Sequence, residues 1–185
     1  MDQTCSYPQS QLPEKWFYQI ISFQRLVFGD GFVGDNQYRN IISHPDQNPI
    51  SFIIAHDDIL IAHAQVLTKS VNHQGQTYQL LGPSGIFVYP AFRGQGYGKK
   101  VVNLAQDYIA TQDGVDIHMI SCEPHNVGFY QKCGYQFWDI GIQVGGRGNP
   151  EFSPEKVAYL LVSDKAKLHH HDFETTPLYF GEDMW

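Results

Sequence analysis

Hydrophobic and polar positions alternate along the chain with two periods, one typical of helices and one typical of strands. Between positions 12 and 28 the apolar residues follow the helical period, and Pro13 suits a first helical turn, so this segment predicts a helix. Positions 29–49 are rich in Gly, Asp, Asn and Pro around a short helical patch, which predicts a mobile loop region. No repeat, linker or low-complexity stretch divides the sequence, and we therefore expect a single domain over residues 1–185.

The remainder of the chain carries the patterns of strands interleaved with helices. The predicted elements are, in order, strands at 51–55, 59–69, 78–81 and 85–88, a helix at 101–109, a strand at 117–121, a helix at 125–133, and strands at 135–144 and 157–162. This order predicts an α/β (α+β) layer fold, in which a mixed sheet is flanked by helices.

A glycine-rich turn follows the strand that ends at Val88. Pro90 breaks this strand, and the turn from Arg93 to Gly98 opens the next helix. Glycines at alternate positions expose consecutive backbone N–H groups, and the helix N-terminus adds a partial positive charge. This combination can bind a pyrophosphate, and the side chains of Arg93, Lys99 and Lys100 would supplement it.

Three anion-binding motifs compete for this turn. A dinucleotide fingerprint requires G-x-G-x-x-G, but the third glycine of Gly94, Gly96 and Gly98 comes one residue too early. A Walker P-loop requires Gly-Lys-Ser/Thr, which is absent. The remaining pattern is Arg-x-x-Gly-x-Gly after Val-x-Pro, and the alternative to it is a glycine-rich turn that binds no ligand.

This pattern, at residues 86–98, resembles the coenzyme-binding motif of the GNAT superfamily of N-acetyltransferases. Residues 117–135 resemble the next strand and helix of that family, at the family's spacing. The resemblance implies a GNAT-like, mostly antiparallel sheet that is splayed at the coenzyme-binding strand, with acetyl-CoA as cosubstrate. It assigns pantetheine to Ile86, Phe87 and Val88, and the pyrophosphate to Arg93, Gly94, Gln95, Gly96, Tyr97, Gly98 and Lys99.

Acetyl transfer to an amine requires a polarised carbonyl, a deprotonated amine and a proton for the departing thiolate. The family motif places Tyr130 as the general acid, although a tyrosine in an aromatic-rich helix can also serve only the core. The backbone N–H of Val88 is the candidate donor to the thioester oxygen. Many relatives carry a glutamate where Ser84 stands here, so the base stays open between Glu123, His125 and water.

A second resemblance extends over more of the chain. The sequences at 60–66 and 71–75 are similar to those of the aminoglycoside 2′-N-acetyltransferases and their relatives, and the ending at 181–185 is similar to that branch's Gly-Asp-x-Trp. The resemblance implies that the tail folds back over the substrate site, whereas chain ends in general are often disordered. The substrate-binding residues that it implies are Ser84, Ser121, Asp183 and Trp185.

Composition narrows the partners. A formal net charge of −7 disfavours nucleic acid and favours a cationic substrate, although acidity also serves solubility alone. No apolar run reaches the length of a membrane span, no signal peptide begins the chain, and three cysteines without paired spacing suit free thiols, so we expect a cytoplasmic protein. Adjacent histidines at 169–171 cannot all face one ion, and we expect no metal.

Together these features predict an acetyl-CoA-dependent N-acetyltransferase that acts by direct transfer, in a ternary complex, on a small cationic amine resembling an aminoglycoside or a polyamine. Two alternatives remain, a protein lysine or N-terminal acetyltransferase and a non-catalytic CoA-binding sensor. Retention of Tyr130 favours an enzyme over a sensor. The sequence leaves the oligomeric state, monomer or homodimer, open.

Overall fold

The computed structural model describes residues 2–182 and 184–185. By its internal contacts the described chain forms two compact units. The first comprises residues 2–67 and Pro83–Tyr108, and the second comprises Thr68–Gly82 and the described residues from Ile109 onward. The expectation of a single domain over residues 1–185 stays a prediction.

The first unit is built on an antiparallel set of strands and two long helices. Strand β2 pairs antiparallel with β1 on one side and with β3 on the other. The elements that contribute to this unit, wholly or in part, are β1 (Asp2–Pro8), α1 (Glu14–Val27), β2 (Ile50–His56), β3 (Ile59–His73), β4 (Gln76–Val88) and α2 (Tyr97–Ala110).

The core of the first unit forms because α1 is amphipathic. Trp16 and Ile20 lie on its buried face and pack with Ile53, Leu60 and Phe87 from the strands. Full burial of side chains of this size stabilises a fold by about 1.5–3 kcal/mol each. The segment that follows α1 contains three short 3-10 turns, at Gly29–Phe32, Gly34–Asn36 and Pro45–Gln47.

The second unit contains two sheets. Strand β4 pairs parallel with β5, β5 pairs antiparallel with β9, and β9 pairs antiparallel with β6. The other sheet has the order β10-β7-β8. The elements are β5 (Ile117–Cys122), α3 (Val127–Lys132), β6 (Phe137–Trp138), β7 (Ile142–Val144), β8 (Glu151–Phe152), β9 (Lys156–Leu161), α4 (Asp164–Leu168), α5 (His170–Thr175) and β10 (Leu178–Gly181).

The predicted fold class is confirmed, since helices accompany a mixed sheet whose strands are mostly antiparallel. The helices predicted at 12–28 and 101–109 correspond to α1 and α2, and the strand predicted at 117–121 corresponds to β5. The turn between β2 and β3 is also present, with Asp57 at a φ of 53°.

Two predicted boundaries are wrong. Gly82 and Pro83 do not separate two strands, because β4 runs without a break through both. The strand predicted at 135–144 is instead two short strands, β6 and β7, with Gly141 at a φ of 70° between them. A glycine at positive φ redirects the chain, and the hydrophobic pattern across such a position does not report the break.

Five elements were not predicted. Strand β1 precedes the first predicted helix, β8 lies between the last two predicted strands, and α4, α5 and β10 follow the last predicted strand. Helices α4 and α5 each span fewer than two turns, which is too short for a helical period to emerge.

A buried carboxylate joins three elements of the second unit. Asp116 accepts hydrogen bonds from the Gln79 backbone N–H at 2.8 Å and from the Ser163 hydroxyl at 2.6 Å, and it pairs with the Lys165 ammonium at 2.8 Å. Burial would raise the pKa of Asp116, but the bonds from Lys165, Ser163 and Gln79 outweigh it and lower that pKa below its ordinary value. The ionised form is therefore the one that holds β4, β5 and α4 together.

Asp116→Asn should lower the free energy of unfolding by about 1–3 kcal/mol, because an amide nitrogen would face donors where a carboxylate oxygen now accepts. Since the pKa of Asp116 is lower in the folded state, its contribution is present above about pH 4 and is lost as the pH falls through the folded-state pKa. Urea unfolding should show that the variant is less stable than the wild type at pH 7, and that this difference in unfolding free energy becomes smaller as the pH is lowered. Asp113→Asn, at an exposed aspartate, is the control, and equal stability of the two variants would contradict the assignment.

Candidate functional site

The glycine-rich turn lies between β4 and α2 in the first unit. A 3-10 turn at Pro90–Phe92 follows β4, and α2 begins at Tyr97. Gly94 and Gly96 have φ angles of 75° and 87°, in the left-handed region that side chains other than glycine rarely adopt. A Cβ built on either glycine would meet no other atom within 4 Å. The glycines are therefore required by the backbone, and the space beside them is open to a ligand.

The N–H groups of this turn are the features that suit it to phosphate. In the described part of the chain, no acceptor is seen for the backbone N–H groups of residues 94–98, and the Lys100 N–H is bonded to the Gly96 carbonyl at 3.0 Å. Helix α2 has 14 residues, so its N-terminus carries the partial positive charge of a full helix. Backbone N–H groups at a helix N-terminus form an anion site without needing many basic side chains.

Side chains in the turn stabilise its shape. The Arg93 side chain donates from Nε to the Val88 carbonyl at 3.2 Å, and the Gln95 amide donates to the Ala91 carbonyl at 3.0 Å. Both side chains thus fold back onto the backbone that precedes them. Lys99 and Lys100 are exposed at the start of α2, where they can supplement the N–H groups.

Tyr97 connects the turn to the first strand. Its hydroxyl donates to Asp2 Oδ2 at 2.8 Å, and Asp2 Oδ1 lies 3.2 Å from His56 Nδ1. The hydrogen bond from Tyr97, followed by that from His56, lowers the pKa of Asp2. This contact could not be predicted, because β1 itself was not predicted. Tyr97 is therefore oriented by β1, and its backbone is what remains available to a coenzyme.

The strand segment assigned to pantetheine alternates as a half-buried strand does. Phe87 is buried, whereas Ile86 and Val88 are partly exposed. The Phe87 ring stacks on Phe23 of α1, with centroids 5.3 Å apart. Burial of the Phe87 side chain holds this segment in an extended conformation. An extended backbone is what the predicted binding of pantetheine requires.

His63 belongs to the segment 60–66 on which the second resemblance rests, but the sequence assigned it no role. It is fully buried on β3, and its Nδ1 lies 2.9 Å from the carbonyl oxygen of Gly85. Burial lowers the pKa of His63 to about 4, against a smaller raising effect of the Gly85 hydrogen bond. His63 is therefore neutral at pH 7. Its position in the strand pattern was that of a core residue, and only the structure shows its polar partners.

The first unit also contains a pocket of about 480 Å³. Its lining is neutral, with amide, hydroxyl and apolar side chains and no acid or base. The residues that define it are Gln9, Ser10, Phe17, Asn40, Ile41 and Asn48, together with prolines and Ile50. A neutral pocket does not supply the anionic surface that a cationic amine would require.

Tyr130, the predicted general acid, lies on α3 in the second unit. The ring is buried and packs edge-on against Phe129 and Tyr135, with centroids 4.9 and 6.1 Å away. Burial, and then the nearby Cys122 and other groups, raise the pKa of Tyr130 above its ordinary value. Its hydroxyl is therefore protonated at neutral pH, as a general acid requires.

Ser121, Cys122 and the two candidate bases lie at the end of β5 or just beyond it. Ser121 is half-buried, and Cys122 beside it is buried, which raises the pKa of that thiol to about 11. A thiol that stays protonated at neutral pH is a poor nucleophile, which agrees with direct transfer. Glu123 and His125, the two candidate bases, pair with each other at 3.1 Å on the surface.

The C-terminal tail is packed against the second unit. The Trp185 indole contacts Phe180 edge-on with ring centroids 5.3 Å apart, and it occupies the space where a Cβ on Gly82 would lie. Its Nε1 is buried and has no hydrogen-bond partner among the described residues. Gly145 donates its N–H to the Glu182 carbonyl at 3.1 Å, which fixes the backbone before Trp185. Asp183 lies outside the described residues.

The described residues contain neither a cluster of metal ligands nor a helix that could span a membrane. Nowhere in 2–182 and 184–185 do three or more His, Cys, Asp or Glu side chains gather as metal ligands would. The His169 ring instead lies 3.3 Å from the Asp172 carboxylate. None of the helices in the same ranges is both long and apolar enough to cross a membrane.

The predicted site residues divide between the two units. Ser84, the pantetheine strand and the pyrophosphate turn belong to the first, and their backbones are consecutive or nearly so. Ser121, Tyr130 and Trp185 belong to the second. The roles assigned to all of these residues remain predictions.

Comparisons with known proteins agree with this geometry. The family model described as the acetyltransferase (GNAT) family matches residues 15–135. No curated protein matches the chain. Among solved structures, Escherichia coli ElaA has a TM-score of 0.60 at 15% identity, covering 86% of this chain and 99% of that chain.

Two plant structures are also similar. Arabidopsis thaliana NAA60 in complex with acetyl-CoA has a TM-score of 0.60 at 12% identity, covering 86% of this chain and 99% of that chain. Glucosamine-6-phosphate N-acetyltransferase from Arabidopsis thaliana has a TM-score of 0.53 at 21% identity, covering 80% of this chain and 99% of that chain. At such identities the likeness to solved structures shows the fold alone.

The fold, the glycine-rich turn and the family match define an N-acetyltransferase that uses acetyl-CoA. The chain belongs to the GNAT family of acetyltransferases, whose model matches well over half of it. The predicted superfamily, enzyme class and cosubstrate are thereby confirmed. The acceptor amine and the aminoglycoside-related branch are not established by these matches.

Gly96→Glu should abolish or strongly weaken acetyl-CoA binding, because a carboxylate side chain would enter the open space beside the turn and repel the pyrophosphate. Calorimetry with acetyl-CoA measures the effect. Gly114→Glu is the matched control, since Gly114 has a φ of 74° and equally open surroundings but lies outside the turn. Unchanged affinity in a folded Gly96→Glu protein would show that the pyrophosphate binds elsewhere.

Proposed function

We propose that this enzyme acetylates a small cationic amine, aminoglycoside-like or polyamine-like, by direct transfer from acetyl-CoA in a ternary complex. The observation that carries the proposal is the docked C-terminal tail. Trp185 packs against Phe180 and over Gly82, and Gly145 fixes the backbone of Glu182, whose side chain is exposed. The contact of Glu182 with Gly145 supports a tail that presents acidic groups to the substrate, as the resemblance to the aminoglycoside 2′-N-acetyltransferase branch implies.

The charge of the protein supports the same class of acceptor. A formal net charge of −7 attracts polycations from solution, and it repels anionic acceptors. Glu182 and the tail residues that the resemblance assigns to the substrate, Asp183 and Trp185, would then contact ammonium groups that are not acetylated. Such contacts hold the reacting amine in place, and positioning can supply a large part of the rate.

The chain supplies three functions to the reaction. Acetyl-CoA contributes an acetyl group activated as a thioester. The Val88 backbone N–H would donate to the oxygen of that group as negative charge develops there. The amine nitrogen would attack the thioester carbon and form the new carbon–nitrogen bond, and its proton passes to water or to one of the candidate bases. Tyr130 would give its hydroxyl proton to the sulfur as the carbon–sulfur bond breaks, and its phenolate regains a proton from solvent. Cys122, protonated at neutral pH, takes no part.

A screen of acceptors tests the proposal directly. Thiol release from acetyl-CoA is followed with polyamines, aminoglycosides and basic peptides in parallel. Turnover with a polyamine or an aminoglycoside supports the proposal. Turnover confined to peptides would replace it with protein acetylation, and acetyl-CoA binding without turnover on any amine would favour a CoA-binding sensor.

Tyr130→Phe should lower kcat by roughly tenfold to a thousandfold with little change in acetyl-CoA affinity, because only the proton donor is removed. Steady-state kinetics with the best amine of the screen measures this. Tyr159→Phe is the matched control, since Tyr159 is also a buried tyrosine whose hydroxyl has no partner among the described residues. If both variants turn over at the wild-type rate, Tyr130 is a packing residue.

Glu182→Gln should raise the KM for cationic amines severalfold, because one exposed ion pair contributes about 0.5–1 kcal/mol to binding. The affinity for acetyl-CoA should be unchanged. Deletion of residues 183–185 should raise that KM further, because the carboxylates and the indole anchor are lost together. Glu151→Gln removes an equal charge at another exposed position and serves as the control. If the truncated enzyme has the same KM as the full chain for every amine, the tail does not bind the substrate.

A further inference from the structure

The strand segment assigned to pantetheine contains a backbone irregularity. Gly85 has a φ of 56° within β4, where a regular strand has a negative φ. A Cβ at this position would lie 2.9 Å from the end of the flexible Gln24 side chain, which could move aside, so it is the backbone conformation that requires glycine. Such irregularities re-aim the residues that follow them.

One buried histidine, His63, contacts the residue before Ile86 and the residue after it. The Nδ1 atom of His63 lies 2.9 Å from the Gly85 carbonyl oxygen, and the imidazole stacks on the Phe87 ring with centroids 5.1 Å apart. The residues immediately before and after Ile86 are therefore held by the same side chain.

Hydrogen-bond chemistry fixes the tautomer of His63. A carbonyl oxygen only accepts, so Nδ1 carries the proton and Nε2 is the acceptor. The Ser51 hydroxyl, 3.3 Å from Nε2, donates to it and accepts from the Gln65 amide at 3.3 Å. The Gln65 amide oxygen in turn accepts from the Ser43 hydroxyl at 2.6 Å. These four hydrogen bonds run in one direction toward Gly85, while the Gln65 amide also donates to Gln9 at 3.4 Å, so the chain favours one orientation of the Gly85 carbonyl.

That orientation has a consequence for Ile86. The peptide bond between Gly85 and Ile86 is planar and trans, so its C=O and N–H point in opposite directions. A carbonyl held toward His63 therefore directs the Ile86 N–H to the opposite side of the strand.

We propose that His63 is a positioning residue for acetyl transfer, which fixes the Gly85–Ile86 peptide so that the Ile86 N–H is presented to the pantetheine arm of acetyl-CoA. His63 does not touch the coenzyme and acts through Gly85 and Phe87. The inference rests on the assignment of Ile86, Phe87 and Val88 to pantetheine, and it is independent of the identity of the amine. Neutrality of the ring, which burial enforces, keeps the chain of donors intact at physiological pH.

Two substitutions of His63 separate its hydrogen bond from its packing. His63→Phe keeps an aromatic ring against Phe87 but removes the donor to Gly85, and it should weaken acetyl-CoA binding roughly fivefold to a hundredfold. His63→Asn loses the stacking but can place its amide nitrogen near the site of Nδ1, and it should recover most of the affinity. Calorimetry measures the dissociation constant, and thermal unfolding reports the stability of each variant.

Ile53→Val is the matched control. Ile53 is fully buried and faces His63 in the register of β2 and β3, so the substitution loosens the same packing without touching the bond to Gly85. Its acetyl-CoA affinity should stay within about twofold of wild type. Wild-type affinity for acetyl-CoA in His63→Phe would overturn the proposal. The proposal would also fail if both variants lost affinity in proportion to their loss of thermal stability.

A measurement on the wild-type enzyme covers the case in which His63→Phe does not fold. Nitrogen-15 NMR of the imidazole at pH 7 should show the proton on Nδ1 and a neutral ring, and addition of acetyl-CoA should shift the Ile86 amide resonance. A proton on Nε2, or an Ile86 amide that does not respond, would overturn the proposal. Should Gly96→Glu abolish binding while His63→Phe binds normally, this inference alone fails and the coenzyme site stands.

Discussion

The left-handed conformation of Gly85 sets the direction of the β4 segment that is assigned to pantetheine. At Gly85 the backbone of β4 enters the left-handed region, which changes the direction of the peptide groups that follow. A buried histidine and the buried polar side chains bonded to it hold this irregularity in place. Buried polar groups are costly unless they are hydrogen-bonded. Helix α1 and strands β2 and β3 thus act as a support for a few backbone atoms of β4 as well as a hydrophobic core.

The acidic composition and the anionic cosubstrate are compatible for a local reason. A net charge of −7 would oppose a pyrophosphate if binding depended on the field of the whole molecule. The turn before α2 instead offers backbone N–H groups and a helix terminus, whose effect is confined to the first helical turn. The surface is therefore free to stay acidic, and that acidity can act on the amine.

The features that depend on residues close together in the sequence could be predicted from it. The periodicity of α1, the glycine spacing at residues 94–98 and the sequence around Tyr130 identified the fold class and the family. The role of His63 was not predictable, because a histidine in an apolar strand resembles a core residue until its partner on another strand is known. Strand β1 escaped prediction for a related reason, since its pairing with β2 is a contact distant in sequence.

The packing of Trp185 over Gly82 makes the tail depend on a position in the middle of β4, more than one hundred residues earlier. A Cβ at Gly82 would overlap both the Trp185 ring and the Met119 carbonyl oxygen. Glycine is therefore needed there for the sheet as well as for the indole, and loss of the tryptophan alone would not admit alanine or serine. Relatives that keep the tryptophan in this place should keep Gly82, whereas relatives that keep Gly82 need not keep the tryptophan.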